Sequence, residues 1–158
     1  MNSWLSWPAR ALERLDGLGP FLMRLWLAQA FAMAGWTKLS AGWQAPEWFA
    51  GLRFPWIVAW LPVNLNWALA GLAEVALGLA LLVGWQTRFA AASLLFITYV
   101  AIYTVHLDLG WRGWNQIETD QGQGFMVPLM MAVMLGNLLT QGGGRYGLDA
   151  WRRPTPRT

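Results

Sequence analysis

Four apolar runs, at residues 20–39, 66–84, 89–106 and 124–140, dominate this chain. A bilayer's hydrocarbon core, ~30 Å thick, takes about 17–25 helical residues to cross. Each run has that length. Between and around them lie turn formers and the chain's few charges. Only 12% of the 158 residues are charged, about half the share of an ordinary soluble domain at ~25%. The runs predict an all-α protein: an integral membrane four-helix bundle, with an interfacial Trp-rich segment between helices 1 and 2.

The remaining stretches divide the chain. Residues 1–19 read as an N-terminal interfacial segment, with Leu5, Leu12 and Leu15 on one helix face. Residues 20–140 form the transmembrane domain, and residues 141–158 a cytoplasmic basic tail. Residues 40–63 carry Trp43, Trp48, Trp56 and Trp60 among three prolines, which suits a short interfacial helix or re-entrant cap. Turn 84–88 is short, so spans two and three are antiparallel neighbours. Arg10, Arg14, Arg88, Arg145, Arg152, Arg153 and Arg157 then share one side, against Lys38, Arg53 and Arg112 on the other. The positive-inside rule puts both termini in the cytoplasm of a bacterial or archaeal cell, in its inner membrane.

Composition also excludes. The chain has no Cys and one His, so it holds no disulfide, iron–sulfur cluster or bis-His haem of its own. No phosphate loop, nucleophile elbow or metal-ligand spacing is present. No metal and no covalently bound cofactor is expected. The net charge of +3 belongs to membrane topology and not to nucleic acid.

Charges inside a span are costly, roughly 2.5–3.5 kcal/mol each at a helix centre on insertion scales. Glu74 is the strongest signal, near the middle of span two. It can relay a proton, bind a head group, or serve as half of a structural ion pair. Arg24 is either its partner or a residue snorkelling to the head groups. Lys38, beside Trp36, reads as an interface anchor or part of an outer pocket. His106 ends span three and is a candidate for proton transfer with Glu74. Tyr99 and Tyr103 lie one turn apart, facing the same general way, and can stack on a flat ring or simply pack. Lys38, Glu74 and His106 together would make a polar pocket toward the outer leaflet.

Several motifs in order resemble the DoxX family. Arg24 opens RLWLAQAFAMAGWTKL (24–39), which closes on Gly35, Lys38 and Leu39. WFAGLRFP (48–55), AGLAEVALGLALLVGWQTRFAA (70–91), VAIYTVHLDLGW (100–111) and GGGRYGLDAW (142–151) follow. The stretch 56–66 is longer than the family's usual linker. Residues 113–123 also depart, with Glu118 out of register. The resemblance implies a four-helix membrane bundle and a loose link to quinone or redox chemistry. On that reading the chain is a membrane subunit of a quinone-linked redox system, with Glu74 and His106 moving protons. Lys38, Arg24, Tyr99, Tyr103 and Trp36 would bind the quinone. The alternatives are a scaffold recruiting a redox or metal-handling partner, and a small proton-coupled transporter acting as an oligomer. The implied partners are the lipid bilayer, a quinone, a redox partner protein and further copies of the chain.

Overall fold

The computed structural model describes residues 17–151. The interfacial helix expected over 1–19 lies almost wholly outside them, as do Arg152, Arg153 and Arg157. Four long helices carry the fold: α1 (Leu18–Ser40), α3 (Val63–Val83), α4 (Thr87–Val105) and α5 (Met126–Gln141). Short elements join them: α2 (Glu47–Ala50), a 3-10 turn at Trp56–Trp60, another at Gly110–Asn115, and α6 (Leu148–Trp151). The chain is not purely helical. Residues Glu118–Thr119 (β1) and Gly122–Gln123 (β2) form a two-stranded antiparallel hairpin, closed by Gly122 at φ 142°.

Helix ends differ from the apolar runs for local reasons. α1 starts at Leu18, two residues before Pro20. The first four N–H groups of a helix have no partner within it, so a first-turn proline forfeits no bond. α3 starts at Val63, directly after Pro62. It ends on Gly84, left-handed at φ 69°, whose N–H reaches back to the last turn, the usual glycine C-cap. Two helices, Val63–Val83 and Thr87–Val105, are long and apolar enough to cross a membrane by length and composition. Met126–Gln141 is shorter and apolar. Its 16 residues span about 24 Å.

α1 packs on α3, α4 on α5, and the two pairs meet through α3–α4 and α1–α5. Leu27, Phe31, Leu81, Leu94, Leu135 and Leu138 form the shared core. The outside is equally apolar: Leu22, Leu79, Phe89, Phe96, Met130 and Val133 are exposed. Meanwhile Arg24, Asn66, Glu74, Thr87 and Thr98 are buried. Polar groups inside and large apolar groups outside invert the water-soluble pattern.

The α1–α3 contact is close because it is made through glycine. A methyl group on Gly35 would lie 2.6 Å from the Gly71 carbonyl oxygen and 2.8 Å from the Val75 nitrogen. One on Gly78 would lie 3.0 Å from the Ala32 nitrogen. Small residues at such crossings let backbones approach.

Segment 41–62 folds over one end of this pair. Trp67 Nε1 donates to the Gly42 carbonyl at 3.0 Å. Its indole meets Phe49 and Trp48 edge-on at 5.0 and 6.0 Å. Asn64 accepts from the Ala45 N–H, and Asn66 donates to the Val58 carbonyl. Trp43, Trp56 and Trp60 remain exposed.

Gly35→Ala should force α1 from α3 and cost about 1–3 kcal/mol, as overpacking does. The protein in detergent should melt several degrees lower. A Gly35→Ala protein melting with the wild type would contradict this packing.

Candidate functional site

Lys38 and Glu74 meet across the α1–α3 contact. Lys38 Nζ donates to Glu74 Oε2 at 2.7 Å. The carboxylate side chain is 8% exposed and the ammonium side chain 21%. Gly71 makes the meeting possible, since its missing side chain leaves room for the Lys38 stem, 3.2 Å from where a Cβ would sit. Lys38 lies in the last turn of α1, and its stem reaches inward to a carboxylate near the middle of α3. The result is one buried cation–anion pair with the lysine edge open.

Arg24 is not the partner of Glu74, and it does not snorkel. Fourteen residues separate Arg24 from Lys38, or about 21 Å along the helix, so the two cations clamp opposite ends of α1. Arg24 is 1% exposed. Its Nη2 donates to the Tyr146 carbonyl at 3.0 Å, and its guanidinium lies 5.7 Å from the Phe21 ring centre. Gly84 and Gly147 press on it so tightly that any side chain there would collide with it. Its Nε and Nη1, with Thr87 Oγ1 nearby, are buried without hydrogen-bond partners among the described residues.

This pocket depends on the closing segment, which docks instead of trailing as a tail. Asp149 accepts from the N–H groups of Gln86 and Thr87, both at 2.8 Å. It thereby caps the positive end of α4, where anions are favoured. Its own N–H donates to the Gly84 carbonyl. Arg88 Nη2 donates to the Thr140 carbonyl. Reading the chain for ionisable residues inside spans missed Gly84, Thr87, Gly147 and Asp149. For Gly84 and Thr87 the signal was the motif at 70–91, and for Gly147 and Asp149 the closing motif at 142–151.

The other candidates do not join the Lys38–Glu74 pair. Trp36 is 68% exposed. It lies two residues from Lys38, about 200° around the helix, and so points nearly the opposite way. Tyr99 and Tyr103 are exposed on the outer face of α4, 6.4 Å apart. His106 caps α4 and faces the loop that follows it. It hydrogen-bonds the Gly124 backbone near Asp108, and its Nδ1 is buried without a partner. No group of three metal-ligating side chains is present among the described residues.

A DoxX family profile matches residues 19–107, more than half of the chain. The chain belongs to the DoxX family. The family is membrane-associated. An uncharacterized protein of Haemophilus influenzae is 34% identical over 136 residues, covering 85% of this chain and 83% of that protein. No solved structure matches. The profile match in this DoxX protein spans α1, α3, α4 and His106. It stops before the closing segment that completes the Arg24 pocket.

Burial lowers the pKa of His106, with the Gly124 hydrogen bond and Asp108 opposing. The folded protein therefore favours neutral imidazole. That contribution is complete above the ordinary value of about 6.5 and is lost as pH falls through the lower, folded value. Thermal melts should weaken as pH falls below the ordinary imidazole value of about 6.5, and His106→Gln should flatten that dependence. An unchanged pH profile in the variant would contradict the assignment.

Proposed function

We propose that this DoxX protein is an integral four-helix inner-membrane subunit of a quinone-linked redox system, with both termini cytoplasmic. The Lys38–Glu74 pair carries the reading: a charged pair buried in a bundle whose outer surface is apolar. The two cations that make α1 less apolar than its neighbours both turn inward, Arg24 into its glycine pocket and Lys38 to Glu74. α1 therefore offers lipid no charge at these positions, and its 23 residues cover about 34 Å. Arg88 and Arg145 mark one end of the bundle, and Arg53 and Arg112 the other. The sequence carries five more arginines in its flanks, 1–16 and 152–158, which supports the orientation.

Reduction of a quinone to its quinol takes two electrons and two protons. On this reading the Lys38 ammonium donates a hydrogen bond to a quinone oxygen, while the Glu74 carboxylate takes up protons from the adjoining water and passes them on one at a time, so that both protons come from solvent. The chain has no cysteine with which to carry electrons, so a reduced partner or substrate supplies both electrons. The reading rests on Lys38 and Glu74. Arg24 holds the opposite end, while Trp36, Tyr99, Tyr103 and His106 lie outside this pair.

Protein purified in mild detergent should carry quinone, quantified by mass spectrometry after solvent extraction. Glu74→Gln and Lys38→Met should each retain at least tenfold less, and Tyr99→Phe as much as the wild type. Wild-type protein that neither copurifies with quinone nor binds it when added back would overturn the proposal. So would full retention by Glu74→Gln.

A further inference from the structure

The outward face of α1 carries a second pattern that the ion pair does not use. Leu22, Trp26, Gln29, Met33 and Trp36 follow one another at spacings of four, three, four and three residues. That is the spacing of a helix–helix seam, with side chains repeating about every 3.5 residues. All five are exposed, and the four flanking Gln29 are each more than half exposed. The seam therefore faces away from the bundle that it belongs to.

Gln29 stands at its centre. Eleven residues of α1 lie on either side of it, about 16 Å each way, which places a carboxamide at the depth of the bilayer midplane. A carboxamide has two N–H donors and an oxygen with two lone pairs. Here Nε2 reaches only the Met33 sulfur at 3.9 Å, a weak acceptor, and the oxygen accepts nothing among the described residues. Lipid tails offer no partner, so this group asks for another polar group at the same depth.

We infer that α1 is the interface of a parallel homodimer, in which Gln29 of each copy hydrogen-bonds Gln29 of the other. A carboxamide both donates and accepts, so it satisfies its own kind. Two copies inserted the same way and related by a two-fold axis along the membrane normal bring each seam residue onto itself. One polar residue within an apolar seam fixes register, as a single buried asparagine does in coiled coils. Beside the seam lies a groove of about 350 Å³, lined by Gln29, Ala32, Met33, Trp36, Thr37 and Val75. Its volume accommodates a large side chain from the second copy. The inference rests on α1 spanning the membrane, not on quinone binding.

The chain has no Cys, so single introduced cysteines report cleanly. In native membranes, Met33→Cys should oxidise to a disulfide-linked dimer, while Phe96→Cys on the exposed face of α4 should stay monomeric. Adding Gln29→Leu to Met33→Cys should weaken association about tenfold, the worth of roughly one interhelical hydrogen-bond pair. Gln29→Asn should recover part of it. Gln29→Leu touches no core residue, so an unshifted melting temperature should accompany the loss. Monomeric Met33→Cys at every protein-to-lipid ratio would overturn the dimer, as would full crosslinking despite Gln29→Leu, or equal crosslinking at Phe96→Cys. Protein released from membranes by alkaline carbonate would overturn the spanning of α1 as well. Retention in the membrane without crosslinking would overturn the dimer alone.

Discussion

The Lys38–Glu74 pair sets the conditions that the rest of the fold meets. A carboxylate and an ammonium removed from water lose several kcal/mol each in solvation, and only close geometry with mutual contact repays it. That geometry demands that α1 and α3 nearly touch. Gly35 and Gly71 supply the approach, and Gly78 with Ala28 and Ala32 continues it along the crossing. The aromatic cap of Phe49, Trp48 and Trp67 then covers the end where Lys38 enters. Substitution of either glycine would separate the charges before it disturbed the apolar core.

Arg24 plays the complementary part at the other end of α1. Lys38 is paired directly with a carboxylate, whereas Arg24 is enclosed largely by backbone, with the Asp149 carboxylate acting on it electrostatically. Glycines at 84 and 147 let peptide groups close on the guanidinium, and Tyr146 gives it a carbonyl. Asp149 ties the same segment to the start of α4. One helix is thus pinned at both ends by its own cations, inward in each case. Its outward face is left to Leu22, Trp26, Gln29, Met33 and Trp36.

The sequence located the long helices because their apolar runs are dense and their boundaries are marked by proline and glycine. It singled out Glu74 and Arg24 because charge within such runs is rare. It did not reveal which cation Glu74 takes. Helix periodicity puts Arg24 and Lys38 on the same stripe of α1, and only the antiparallel register with α3 shows that Lys38 reaches Glu74 while Arg24 faces Gly84. Tyr99, Tyr103 and His106 looked like one group from their spacing. Yet the two tyrosines lie on the outer face of α4, and His106 sits where the helix has ended, so spacing along it no longer applies. The docked closing segment was hidden for another reason. Its contacts join residues more than sixty positions apart, between Asp149 and the start of α4, and no local pattern records such a distance. The hairpin at 118–123 is too short for any period to show.

A double-mutant cycle on Lys38 and Glu74, read as thermal unfolding in detergent, tests the central claim most directly. Lys38→Met alone strands a buried carboxylate and should cost about 3–5 kcal/mol, as should Glu74→Leu alone for the ammonium, while the double variant should recover most of either loss. Single losses that simply add in the double variant would show that the two charges do not hold α1 to α3.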